Sequence, residues 1–166
     1  GAPYPRTVLF GDVVKGLPVR SGTADLAYCS HTLEHLSLAD CHRALRETHR
    51  LLRPGGVFRA VLPDLRNLCD QYLRQAATDP AAAETFIRDT HMGLAETPRG
   101  AAWLRRFFSR DQHLWMWDYP SLERALRGAG FREIRPAKYH DSAHLAFHAV
   151  EAPHRWENAL GIEALK

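Results

Sequence analysis

The strongest constraint on the fold is an alternation of strand-like and helix-like segments over residues 25–75. Residues 25–29 and 57–62 are apolar enough to predict strands that are buried on both faces. The segments that follow them, 38–52 and 65–75, repeat apolar residues at three- or four-residue steps, which predicts helices. Strands that alternate with helices in this way form a parallel sheet with helical crossovers. The sequence therefore predicts an α/β fold.

Capping residues indicate where these helices begin and end. Ser37 or Asp40 can cap the start of the first helix, and Asp64 stands where the cap of the second belongs. The run Pro54-Gly55-Gly56 is expected to end the first helix, because proline cannot continue a helix and glycine accepts left-handed backbone. We also expect a short strand over 7–14 that pairs directly with 25–29.

The remainder of the chain predicts more of the same domain. A helix over 120–127 has proline near its start and Gly130 beyond its end. Residues 131–139 and 160–165 predict two further strands. A chain of 166 residues without a linker or repeat indicates one domain over residues 1–166.

Residues 78–118 break the alternation and predict an insertion. Two helical pieces are expected at about 81–92 and 100–108, followed by an aromatic cluster. The cluster consists of Trp103, Phe107, Phe108, Trp115, Trp117 and Tyr119. A block of this length between core elements is typical of a lid or binding insertion. A helical subdomain whose aromatic residues form its own core explains the pattern equally well.

Composition excludes several partners. The net charge is only +3 and the basic residues are interspersed with acids, so a nucleic-acid surface is not expected. No apolar run approaches the roughly 18 residues of a membrane span. Cys29, Cys41 and Cys69 show no Cys-x-x-Cys spacing, which favours free thiols in a reducing compartment and a cytoplasmic location.

A set of motifs in a fixed order resembles one enzyme family. They are Asp12, Gly16-Leu-Pro18, Asp25-Leu-Ala-Tyr-Cys-Ser-His-Thr-Leu-Glu-His35, Arg43-Ala-Leu-Arg-Glu47, Arg50-Leu-Leu-Arg-Pro-Gly-Gly56 and Pro63-Asp64. Together they resemble the class I S-adenosylmethionine-dependent methyltransferases of the type 11 group. The tail, with His113-Leu-Trp-Met-Trp-Asp-Tyr119, Ser121-Leu122, Ala129-Gly-Phe131 and Ile162-Glu-Ala164, is similar to a bacterial subgroup. The resemblance implies a Rossmann-like, mostly parallel sheet flanked by helices, and methyl transfer from S-adenosylmethionine to a small molecule or glycan.

The resemblance also implies cofactor-binding residues. Asp12 corresponds to an acid that approaches the adenine amino group, although an aspartate that caps a turn fits as well. Cys29, Ser30 and His31 follow a strand and would line the pocket beside the cofactor, as ligands bind beyond the carboxyl ends of parallel strands. His31 is the candidate catalytic residue, as a general base or as a group that orients the acceptor. Because methyl transfer depends mainly on alignment, lining the pocket is the favoured role.

The acceptor side is expected to come from the insertion. Trp115, Trp117 or Tyr119 is predicted to face the acceptor, as the aromatic cluster follows the helical pieces of the insertion.

The chain departs from the family at its N-terminal side. The family's strand order is 3-2-1-4-5-7-6, with a Gly-x-Gly turn after the first strand, whereas Phe10-Gly-Asp12 has one glycine and little sequence before it. We therefore expect a sheet that is incomplete on this side, with an edge available to a second copy or a complementing chain. A non-catalytic scaffold or partner subunit with a methyltransferase-like fold is the alternative function.

Metal chemistry is a second alternative. His31, Glu34 and His35 match the His-x-x-Glu-His pattern of inverted zinc peptidases, in which two histidines one helical turn apart bind zinc. Because a five-residue pattern arises often by chance, the favoured interpretation has no metal site. Glu34 and His35 would then cap the helix or tie it to its neighbours.

Overall fold

The computed structural model describes residues 8, 10–93 and 112–166 of the chain. Within these ranges the strands are β1 (Ala24–Ser30), β2 (Leu52–Pro63), β3 (Arg132–Pro136) and β4 (Ala159–Leu165). The α-helices are α1 (Leu38–Leu51), α2 (Leu65–Gln75), α3 (Ala82–Asp89), α4 (Tyr119–Ala129) and α5 (Leu145–His148). Two short 3-10 helices lie at Leu33–His35 and Pro153–Arg155.

The strands form one mixed sheet in the order β1-β2-β4-β3. β1 pairs with β2 in parallel, with Tyr28 opposite Arg59, and α1 makes the crossover between them. β4 is antiparallel to both of its neighbours, β2 and β3. The predicted α/β, Rossmann-like fold is confirmed, and the order of these strands is that of the last four in the series 3-2-1-4-5-7-6.

The strand expected over residues 7–14 is wrong. Among residues 8 and 10–14 the only pairing is an isolated bridge between Asp12 and Gly16, on either side of a turn. The Asp12 carboxylate accepts hydrogen bonds from the backbone of Val14 and Lys15, at 2.9 and 3.3 Å, and so fixes the chain in the turn. In the described part of the chain β1 is consequently an edge strand, paired on one side only.

α1 follows its sequence pattern closely. Ser37 caps it by accepting a hydrogen bond from the Asp40 backbone, and its core-facing stripe is buried. The helix ends at Leu51, earlier than Pro54-Gly-Gly56 predicted, because β2 begins immediately at Leu52. The proline and glycines instead lie in an irregularity of β2 between the pairs Ala24–Leu52 and Leu26–Val57. A Cβ at Gly56 would lie 2.9 Å from the Arg53 carbonyl oxygen, so this close approach requires glycine.

One face of the sheet forms the apolar core. Phe58, Ala60 and Leu62 alternate along β2 and pack with buried residues of α1 and α4. Leu45 from α1 and Leu126 from α4 are completely buried here, and full burial of one such side chain stabilises the fold by about 1.5–3 kcal/mol. α4 has the predicted ends, with an Asp118–Ser121 capping box and left-handed Gly130.

The opposite face carries a buried charge. Arg59 of β2 is fully buried and lies under the connection between β3 and β4. Its guanidinium donates hydrogen bonds to Glu151, to Asp141 at 2.9 Å and to Glu163 at 3.0 Å. The Trp156 ring covers it, with a distance of 4.6 Å from the guanidinium carbon to the ring centroid. This connection also contains α5, in a stretch that the sequence left unassigned.

The structure describes residues 78–93 and 112–118 of the predicted insertion. α3 lies within the predicted 81–92 helix and packs against α2, with Tyr72 and Phe86 rings 5.4 Å apart. The predicted helix at 100–108 lies outside the described residues, as do Trp103, Phe107 and Phe108. None of the described helices is long and apolar enough to cross a lipid bilayer.

Candidate functional site

The carboxyl ends of the two parallel strands form the candidate site. The ladder between β1 and β2 extends one residue further, where the His31 backbone donates to the Val61 carbonyl at 2.9 Å. β2 ends at Pro63, and Asp64 then caps α2 by accepting from the Arg66 backbone. This edge is where open α/β sheets bind their ligands.

A segment from the insertion crosses this edge. The Leu114 backbone donates to the Glu34 carbonyl at 2.7 Å, just beyond β1. Further along, the Leu65 backbone donates to the Trp117 carbonyl at 2.9 Å, just beyond β2. Residues 113–117 therefore connect the two strand ends, and their side chains form part of the same site.

The three candidate aromatic residues of this segment have different surroundings. Trp117 is 2% exposed and belongs to the apolar core. Tyr119 packs against the same core, and its hydroxyl donates to the Ile134 carbonyl at 3.4 Å. Trp115 is 38% exposed, with its ring centroid 6.2 Å from that of Trp117. Of the three, Trp115 offers an accessible surface to an acceptor.

His31 is held by two contacts. Its backbone is left-handed, with φ of 47°. Nε2 lies 2.9 Å from the Arg155 carbonyl, and Nδ1 lies 3.4 Å from Glu34 Oε1, an ion-pair distance without hydrogen-bond geometry. The Glu34 carboxylate raises the pKa of His31 above its ordinary value, against the opposing effect of burial. Both ring nitrogens are thus engaged within the protein.

Cys29 and Ser30 lie on opposite faces of β1. Cys29 packs against the apolar core, and burial raises the pKa of its thiol to about 11. Such a thiol stays protonated at neutral pH and acts as a small apolar group. Ser30 is half-buried at the end of the strand, and its carbonyl accepts from the Thr32 hydroxyl at 3.1 Å.

Asp12 lies in the turn that precedes β1. Hydrogen bonds from the Val14 and Lys15 backbones, together with the Lys15 charge, lower the pKa of its carboxyl. The loop is fixed to α1, because the Leu17 backbone donates to Glu47 Oε1 at 2.8 Å. Asp12 therefore does cap a turn, and its second oxygen, Oδ2, lies 3.6 Å from Lys15 Nζ.

The His-x-x-Glu-His pattern does not form the expected pair on one helix face. His31 precedes the short 3-10 helix Leu33–His35, so the two histidines share no helix. Glu34 is 1% exposed, which leaves it no access to a peptide substrate. The structure therefore removes the geometric basis for an inverted zinc peptidase.

The fold instead brings His113 to this carboxylate. Glu34, His35 and His113 each offer one ligand atom, and these three atoms lie within 4.8 Å of one another. The His35 and His113 rings meet edge to face with centroids 5.0 Å apart. Sequence spacing could not find this cluster, although the motif that begins at His113 was part of the family resemblance.

The comparisons with known proteins find methyltransferases. Residues 4–60 match the family model described as a methyltransferase domain. A probable methyltransferase from Aspergillus luteorubrus is 36% identical over 56 residues, which are 32% of this chain and 20% of that protein.

Solved structures show the same fold. A chain from the complex between the Trm112 methyltransferase activator and a methyltransferase of Haloferax volcanii gives a TM-score of 0.51 at 18% identity, covering 95% of this chain and 60% of that one. A SAM-dependent methyltransferase from Archaeoglobus fulgidus gives a TM-score of 0.51 at 15% identity, and the match covers 95% of this chain and 66% of that one. The chain thus spans a fifth of the curated relative and about two thirds or less of these structures.

The sequence match over residues 4–60 and the fold point to the same family. The resemblance to class I S-adenosylmethionine-dependent methyltransferases is confirmed, on the match over residues 4–60 and on a fold shared with methyltransferases.

Proposed function

We propose that this protein takes part in methyl transfer from S-adenosylmethionine to a small molecule or glycan. The observation that carries the proposal is the edge at which β1 and β2 end, because it joins the family's motif residues to an exposed aromatic side chain. Ser30 and His31 stand at the end of β1, and Trp115 crosses the same edge through its bond to the Glu34 carbonyl.

We assign Asp12, Cys29 and Ser30 to one flank of the cofactor. Because its backbone contacts use Oδ1, the Asp12 carboxylate retains Oδ2 to accept from an exocyclic amine such as that of adenine. Ser30 offers a hydroxyl at the strand end. Cys29 packs against the core and would contribute only an apolar wall to the pocket. When bound, S-adenosylmethionine supplies an electrophilic methyl group on a sulfonium centre.

His31 is proposed to position the acceptor. With Nε2 on the Arg155 carbonyl and Nδ1 beside Glu34, the ring can bind an acceptor only by exchanging one of these contacts. Alignment of the acceptor with the methyl group is the larger part of the catalytic task, and a fixed imidazole serves it. Trp115 would provide a flat apolar surface for a ring or sugar face.

The open edge of β1 supports a further element of the proposal. On its side away from β2, no described residue pairs with this strand. We propose that the edge is paired in the working enzyme, either by further chain of the same protein or by a second chain. The Haloferax volcanii methyltransferase is in a complex with an activator protein, which offers a precedent for a partner.

Calorimetric titration of the 166-residue chain with S-adenosylmethionine tests the proposal. We expect binding, and we expect Asp12→Asn to weaken it about tenfold, since a lost charged hydrogen bond costs roughly 1.5–3 kcal/mol. Asp89→Asn is the matched control, because Asp89 is exposed at the end of α3. Binding that is insensitive to Asp12 would contradict the adenine assignment. Absence of binding would overturn the catalytic proposal for this chain and favour the non-catalytic partner subunit.

A further inference from the structure

Glu34 is a buried carboxylate to which no described residue donates a hydrogen bond. Its side chain is 1% exposed, and neither Oε1 nor Oε2 accepts a hydrogen bond from any residue that the structure describes. Removing an ionised carboxylate from water is costly unless cations or donors replace the solvent. Buried polar groups are nearly always satisfied, so an exception of this kind indicates a missing partner.

Two imidazoles near this carboxylate have one ring nitrogen fixed and the other available. His35 Nδ1 lies 3.2 Å from the Gln112 carbonyl, and His113 Nδ1 lies 2.8 Å from the Thr90 carbonyl. A carbonyl oxygen only accepts, so in each neutral ring the proton is on Nδ1 and the lone pair is on Nε2. Histidines that bind metals in proteins are oriented by this same N–H to carbonyl contact.

The available atoms converge. His35 Nε2 lies 4.0 Å from Glu34 Oε1, and the three ligand atoms of Glu34, His35 and His113 all lie within 4.8 Å of one another. Metal–ligand bonds of about 2.1 Å in a tetrahedral site place the ligand atoms about 3.4 Å apart. Side-chain rotations that move the ligand atoms by about 1 Å would therefore bring all three within bonding distance of one ion.

We propose that Glu34, His35 and His113 bind a divalent transition metal ion such as zinc. Two imidazoles and one carboxylate are a common donor set for zinc, and three protein ligands leave a fourth position open. His31 is not part of the site, because the group of ligand atoms that all lie within 4.8 Å of one another comprises Glu34, His35 and His113.

The metal site goes beyond the proposed methyl transfer, and it shares Glu34 with the contact that holds His31. It joins the corner after β1, which holds Glu34 and His35, to His113 in the segment that returns from the insertion. The ion would add positive charge beside Glu34, where the nearest described ionisable groups are the His31 and His35 imidazoles. The prediction of no metal site is revised for this reason, since only the fold shows that His113 replaces His31 in the ligand set.

Zinc titration of the chelator-treated full chain, in competition with a chromophoric chelator, tests the proposal. We expect one equivalent of zinc, and we expect Glu34→Gln and His113→Gln each to weaken binding by at least about tenfold. The matched control is His154→Gln, which removes an exposed imidazole in another part of the chain and should leave the affinity unchanged.

X-ray absorption of the zinc-loaded wild-type chain provides a readout that does not depend on whether the variants fold. We expect a first shell with two imidazole nitrogens and a carboxylate oxygen. A shell without imidazole would overturn the proposal. So would binding that is weak, exceeds one equivalent and falls equally in His154→Gln, because that result means an adventitious ion only.

Discussion

Two buried charged groups of this protein differ in how completely they are compensated. Arg59, on one face of the sheet, donates to three carboxylates and to the Lys138 carbonyl. Glu34, at the carboxyl edge, accepts no hydrogen bond from a described residue, and the nearest ionisable groups among these residues are the His31 and His35 imidazoles. Among the described residues, hydrogen bonds compensate the charge of Arg59, whereas Glu34 is the carboxylate to which we assign a bound ion.

This difference separates a structural role from a binding role. Burial alone would lower the pKa of Arg59, but the Glu151 and Asp141 carboxylates outweigh burial and raise it, so the charge is stabilised in place. Its partners come from β4 and from the β3–β4 connection, so the network holds that connection on the sheet. Among the described residues Glu34 has only imidazoles beside it, so we expect it to stabilise the fold less than this network, and we assign it a ligand.

The largest effect is expected when Arg59 is removed. Arg59→Met should lower the free energy of unfolding by about 3–5 kcal/mol, because Glu151 would remain buried without its partner. The control Arg135→Met removes a cation that contacts Asp141 and Glu163 but is 40% exposed, and should cost less than about 1 kcal/mol. Urea unfolding of the three proteins measures both values. Equal losses would show that burial of the charge does not matter here.

The same substitution at two buried glutamates provides the next test. Glu151→Gln should lower the free energy of unfolding by about 2–3 kcal/mol, because it weakens a charged hydrogen bond with Arg59. In metal-free buffer, Glu34→Gln should leave this free energy unchanged or raise it by up to about 1 kcal/mol, since it removes a charge that has no donor. Chemical denaturation with chelator present compares the two variants directly. Losses of the same size would contradict the distinction between the two regions.

Acid titration is expected to give the smallest effect. Burial would raise the pKa of Asp141, but hydrogen bonds from Arg135, from the Lys138 backbone and from Arg59 lower it below its ordinary value. A lowered folded-state pKa means that the stabilisation is present above the unfolded value near 3.8 and is lost as pH falls through the folded pKa.

The readout is the free energy of unfolding as a function of pH. Between pH 5 and pH 2 the wild type should lose about 1 kcal/mol more than Asp141→Asn, a value reduced because the side chain is partly exposed. Carbon NMR of the Asp141 carboxyl gives the folded-state pKa directly. An unshifted titration would remove Asp141 from the compensated network.

The parallel part of the fold could be predicted because its signals are local. Apolar runs suited to burial on both faces indicate β1 and β2, and three- and four-residue steps indicate α1. Ser37 and Asp64 mark helix starts that the structure confirms. The family motifs lie on these same elements, so the class of protein was also visible. The strand over 7–14 was wrong because Asp12 hydrogen-bonds its own turn, which competes with strand pairing.

The sequence alone determined the strand–helix alternation, the starts of α1 and α2 and the family to which the motifs point, because each depends on residues close together along the chain. Only the tertiary structure decided what surrounds the buried charges. Arg59 meets Glu151 across 92 residues, and His35 meets Gln112 across 77, beside His113. Contacts of this kind depend on how β4 and the insertion return to the sheet, and spacing in the sequence carries no record of that geometry.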